Sequence, residues 1–103
     1  MLHFVNGGYY MSISAENRIE LINAMSSNLS VLRLKLNLSQ EDLAEILGVT
    51  RQTISAIESG QRQMTWQTFL SLILVFLKNK ETKRLMILLG IYTKKLNDFL
   101  TFN

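Results

Sequence analysis

The stretch Leu38–Gly60, LSQEDLAEILGVTRQTISAIESG, restricts the fold more than any other part of the chain. It reads as two short amphipathic helices joined by a tight corner. Ser39 is placed to cap the first, its hydroxyl accepting the Asp42 backbone N–H while the Asp42 carboxylate reaches back. Leu43, Ala44 and Leu47 then fall on one side, with Gln40, Glu41 and Glu45 left for solvent or a partner. Gly48 stands where that helix must end, in the left-handed region that a residue with a side chain enters only at a cost. Val49 turns inward at the corner, Thr50 caps the second helix, and Ile54 and Ile57 take its buried side.

The opposite face of the second helix points to a function. Arg51, Gln52 and Ser55 face outward near its start, beside the small Ala56. A short helix held at a fixed angle by its neighbour can offer its first turn to a duplex major groove. Arg and Gln suit bidentate contacts with guanine and adenine edges respectively. Taken singly, each is an ordinary polar residue on a solvated helix. The corner, the caps and the inward spacing together favour the groove.

These residues resemble the helix-turn-helix of the phage-repressor and Cro-like class, the large bacterial regulator family often called Xre-like. Arg33, Leu38-Ser39-Gln40, Leu43-Ala44, Gly48-Val49, Ile54-Ser55, Glu58 and Gly60 fall at the spacing of that family's motif. With the flanking helices the resemblance covers roughly residues 29–77. It implies an all-α fold, a compact five-helix domain, here with an added N-terminal helix and a C-terminal helical extension. It also implies a sequence-specific regulator of double-stranded DNA, a repressor working as a homodimer in the cytoplasm. Arg51, Gln52, Ser55 and Ala56 would then read bases, while Gln40, Thr50, Gln61, Arg62 and Gln63 would grip the backbone. Arg33 would pair with Glu58 and hold the angle of the reading helix. Small proteins of this class also serve as antitoxins, so a toxin-like protein partner is the alternative, with DNA bound for autoregulation.

Composition sets limits around this. A chain of 103 residues, 48% hydrophobic and without proline, is one domain by length and not a disordered one. The absence of cysteine excludes disulfides, thiolate metal sites and cysteine nucleophiles. Apolar runs near 69–77 and 85–92 are too short to cross a membrane, and Lys78, Lys80, Lys83 and Arg84 lie between them. The N-terminus lacks the pattern of a secretory signal, so no membrane partner is expected. The net charge of +3 is unevenly placed, −2 over residues 1–60 and +5 over residues 61–103. The helix pair is therefore a poor electrostatic magnet, and Arg62 and the later lysines must supply much of the attraction to phosphate.

The rest of the chain divides into three parts. Residues 1–14 form a flexible tail or a short hairpin about Asn6-Gly7-Gly8; alternatively, Met11 is the true start, preceded by codons resembling a ribosome-binding sequence. Residues 15–77 form the helix-turn-helix domain, and residues 78–103 an extension that dimerises or packs on the same core. Ser14 caps a helix whose Ile19, Ile22, Met25, Leu29, Leu32 and Leu36 recur at helical steps; the stripe fits one long helix, but Ser26-Ser27-Asn28 favours a break between helices at 15–25 and 29–36. Met64 occupies a loop position where the family often has proline. Thr65 caps a helix to Leu77 that turns Phe69, Leu72, Ile73 and Phe76 inward, with Trp66 half-buried in its first turn. Thr82 starts the next helix with Leu85, Leu88 and Leu89 at core spacing, and Gly90 ends it. Ile91–Leu100 follows as the last, its apolar face formed by Tyr92, Leu96, Phe99 and Leu100.

No catalytic set emerges. Glu41, Asp42 and Glu45 read as an acidic helix start without histidine, a weak metal site at best. His3 has no acidic or cysteine neighbour, and no Gly-rich loop leads to a lysine. Neither a cofactor nor a metal is expected.

Overall fold

The computed structural model describes the backbone of residues 3–5 and 8–10 and the chain from residue 13 to residue 101. Strands β1 (His3–Val5) and β2 (Gly8–Tyr10) pair antiparallel with Phe4 opposite Tyr9, while the expected turn at Asn6-Gly7 lies outside the described residues. Six helices follow: α1 (Ala15–Lys35), α2 (Gln40–Leu47), α3 (Arg51–Glu58), α4 (Trp66–Leu77), α5 (Lys80–Leu88) and α6 (Lys94–Leu100).

The break expected at Ser26-Ser27-Asn28 does not occur. Ser14 caps α1 by accepting the Asn17 N–H at 3.1 Å, and the helix then runs unbroken for 21 residues. Asn28 Nδ2 bonds the Ala24 carbonyl one turn back at 2.8 Å, so its amide is used within the helix rather than against it. Leu21, Ile22, Met25, Leu29 and Leu32 form a continuous buried stripe across that point. Burial of each such side chain contributes about 1.5–3 kcal/mol, more than a Ser-Ser-Asn run costs in helix propensity. Ile19, placed on this stripe by spacing, is 49% exposed, and Leu21 takes its place inside.

Four of the five links between these helices share one construction. Gly48 has φ +72°; its N–H bonds the Glu45 carbonyl, and the next N–H, of Val49, bonds that of Ala44. Gly90, also at φ +72°, repeats this with Ile87 and with Ile91 to Met86. The same hydrogen bonds recur after α1 and α3, where Asn37 and Gly60 take the left-handed position. Each helix begins with a side-chain cap: Ser14, Ser39, Thr50, Thr65, Asn79 and Thr93. The chain is punctuated without proline.

α4 lies at the centre, with Phe69, Leu72, Ile73 and Phe76 all fully buried, and packs on α1, α2 and α5. Met64 is buried at 3%, so the loop position at which the resembled family often has proline supplies a core residue here. α5 departs from expectation in start and facing. Asn79 caps it, its Oδ1 accepting the N–H groups of Glu81 and Thr82. Thr82 is buried, and its hydroxyl donates to the Phe76 carbonyl at 2.6 Å, satisfying an acceptor at the end of α4. Met86 and Ile91 fill the core, whereas Leu88 and Leu89, expected there, are 71% and 37% exposed. The last helix starts at Lys94 rather than Ile91, because Thr93 caps it, and it buries Leu96. No helix among the described residues is long and apolar enough to cross a membrane.

Candidate nucleic-acid interface

Local sequence builds this site. Ser39 and Asp42 form the full capping box, with reciprocal hydrogen bonds of 2.9 Å each. Those bonds, led by the one from the Ser39 backbone, hold the Asp42 carboxyl below its ordinary value. α2 buries Leu43 and Ala44, and the Gly48 corner sends the chain into α3. Thr50 caps α3 through the Thr53 N–H and also meets the Thr53 hydroxyl at 3.0 Å. α3 buries Ile54 and Ile57 and packs on both α1 and α2.

A buried ion pair fixes the angle of α3. Arg33 Nε donates to Glu58 Oε2 at 2.8 Å and Nη2 to Oε1 at 3.1 Å, a two-pronged contact with both side chains about 10% exposed. The remaining prong, Nη1, donates to the Leu38 carbonyl at 2.8 Å in the link between α1 and α2. One guanidinium therefore ties the end of α1, the entry to α2 and the end of α3. The hydrogen bonds that Arg33 donates to Glu58, against the opposing pull of burial, raise the Arg33 pKa. At Glu58 burial disfavours the charge, but hydrogen bonds from Arg33 and Gln40, with the charge of Arg33, outweigh it and lower the pKa.

The fixed helix leaves Arg51 and Gln52 exposed at its first turn, with Ser55 and Ala56 half-buried one turn on. Gln61, Arg62 and Gln63 are exposed after α3, and Arg62 Nη1 approaches the Thr53 hydroxyl at 3.5 Å, which puts it beside the first turn. Gln40 is not wholly free: its Nε2 donates to Glu58 Oε1 at 3.0 Å, leaving a second N–H and the amide oxygen without partners among the described residues. Thr50 likewise spends its hydroxyl on the cap. Sequence spacing did not reveal that Gln40 supports the ion pair, because the contact spans two helices. Nor did it reveal Arg18, whose guanidinium lies 5.0 Å from the centre of the Trp66 ring.

Comparison with known proteins agrees with this geometry over the same stretch. Residues 29–77 match the family described as Helix-turn-helix. The chain is 57% identical over 37 residues to Uncharacterized HTH-type transcriptional regulator MJ0272 of Methanocaldococcus jannaschii, a match covering 36% of this chain and 56% of that protein. It is 50% identical over 36 residues to Uncharacterized HTH-type transcriptional regulator YgzD of Bacillus subtilis, covering 35% and 54% respectively. The chain thus spans about half the length of the curated relatives it matches. No solved structure matches it significantly. The family match is confined to residues 29–77, and the long N-terminal part of α1 and all of α5 and α6 lie outside it.

Proposed function

We propose that the protein is a sequence-specific, double-stranded-DNA-binding transcriptional regulator of the Xre and Cro-like kind, a repressor acting as a homodimer in the cytoplasm. The observation that carries this is the exposed pair Arg51 and Gln52 on a helix whose opposite face is buried and whose end is clamped by Arg33. Such a turn enters the major groove with base-reading side chains already aimed, so little ordering entropy opposes binding. Arg51 and Gln52 read base edges, Ser55 and Ala56 meet a neighbouring base, and Gln40, Thr50, Gln61, Arg62 and Gln63 hold the backbone. The names of both relatives, HTH-type transcriptional regulators, support the regulator part of this reading.

Selection of purified protein on random duplexes tests this. The expected product is one inverted repeat, with half-sites spaced by one helical turn of ~34 Å or a multiple and two chains per duplex. No enriched sequence would overturn the DNA-reading role, and one chain per site would overturn the dimer. A second reading, an antitoxin-like module with a toxin-like protein partner, is favoured by the exposed Leu74, Ile87 and Leu88 outside the reading face. Stoichiometric copurification of another protein from source cells would support it.

A further inference from the structure

Arg18 belongs to none of the roles above. It lies in the part of α1 that precedes the helix-turn-helix match, yet its guanidinium sits over Trp66, the first residue of α4. Its Nε donates to the Ile13 carbonyl at 3.3 Å. A guanidinium carries five N–H groups, so four remain, and none has a partner among the described residues. Nor does Arg18 make an ion pair among them. Glu16 and Glu20 are each two residues away and so face other sides of the helix. The ring beneath is itself fixed, stacked on the fully buried Phe69 with centroids 4.9 Å apart and planes 11° apart.

The position matters as much as the free charge. Arg62 stands beside the first turn of α3, and four residues of chain span at most about 14 Å to Trp66. The ring that carries the Arg18 guanidinium therefore belongs to a residue within about 14 Å of Arg62 along the chain, just past the exposed Gln61–Gln63 segment. The indole N–H has no hydrogen bond among the described residues, and Thr65 and Gln67 on either side of Trp66 are exposed. We infer that Arg18 is a second phosphate clamp, gripping the DNA backbone beyond Arg62 with the Trp66 ring as its platform. This inference rests on the DNA-binding reading. Arg18 is one of the four basic residues among the first sixty, whose net charge is −2 with it counted, so each cation there that can reach phosphate matters.

The test is binding of the full chain to a random-sequence 30-base-pair duplex across a NaCl series. Compared are the wild type, Arg62→Ala, Arg18→Lys, and two uncharged variants, Arg18→Gln and Arg18→Met, the second keeping an apolar stem on the indole. Each phosphate contact contributes about 0.9 to the slope of log K against log salt. Both uncharged variants are expected to lower the slope by that amount with unchanged far-UV circular dichroism. Arg18→Lys keeps the charge and is expected to retain the wild-type slope, which ties the loss in the uncharged variants to charge. Wild-type slopes in both uncharged variants, with a lowered one in Arg62→Ala, would overturn the clamp while leaving the regulator standing. A wild type with no salt-dependent binding would overturn both. Should neither uncharged variant fold, Trp66 decides, being the single tryptophan. Its emission is expected to shift on saturation with duplex, and unchanged emission would overturn the clamp.

Discussion

The α2–α3 corner and the α5–α6 corner are built alike and differ in what holds them. Both turn on a glycine at φ +72° with the same pair of reverse hydrogen bonds, and both enter the next helix through a threonine cap. Both second helices open with two exposed polar residues, Arg51-Gln52 in one and Lys94-Lys95 in the other, backed by a buried Ile54 or Leu96. Among the described residues only the first is clamped at its far end by a buried ion pair, and in the second one of the two opening side chains, Lys94, is already paired. Lys94 is bound to Asp98 at 2.9 Å on the exposed face of its own helix, which raises its pKa. Turn construction therefore sets where a helix goes. Anchoring and unspent side chains decide whether it can meet a partner in a fixed pose.

The anchors should separate the two corners most widely. Arg33→Ala leaves Glu58 buried without its cation and is expected to cost about 3–5 kcal/mol in chemical denaturation, with DNA binding lost alongside. Lys94→Ala, which removes a fully exposed partner, should leave the denaturation midpoint unchanged. Equal losses in the two variants would break the comparison. Glu58 adds a pH signature. Its folded pKa lies below its ordinary value of 4.5, so its stabilisation is complete above about that pH and is lost as pH falls through the folded value. Stability measured between pH 6 and pH 3 should therefore fall less steeply in Glu58→Gln, from a lower starting point.

Smaller effects sharpen the contrast. Gln52→Ala should reduce discrimination at one base pair by about 1–3 kcal/mol without changing stability, measured by competition between target and single-base variants. Lys95→Ala should change neither. Gly48→Ala and Gly90→Ala should each cost about 1–2 kcal/mol, since a Cβ at either site meets nothing within 4 Å and the strain is in φ alone. Only the first should also weaken target binding, because it tilts α3. Ser39→Ala and Thr93→Ala should each cost about 1 kcal/mol as lost caps, separable by the same binding assay.

The sequence was most readable where one residue has one local job. Ser39, Gly48, Thr50 and Thr65 sit at helix ends whose chemistry is short-range, and the buried faces at Ile54–Ile57 and Phe69–Phe76 have clean helical spacing. The Arg33–Glu58 pair spans 25 residues and was reachable only through family resemblance, not through spacing. α5 was misjudged because Leu85, Met86, Ile87, Leu88 and Leu89 are apolar all round the helix, so periodicity cannot choose the inward face. Packing chose Met86, aided by the Thr82 hydroxyl on the end of α4. At Ser26-Ser27-Asn28 a local breaking signal lost to a stripe of side chains buried against later helices. The Arg18–Trp66 contact joins residues far apart in the chain and carries no local pattern at all.

Backbone amide shifts of isotope-labelled protein, titrated with a selected duplex, compare the two corners in one experiment. The largest changes are expected at residues 50–56 and 61–63, with residues 93–97 unmoved. Large changes at Lys94 and Lys95, with Arg51 and Gln52 silent, would contradict the assignment of α3 as the helix that reads DNA.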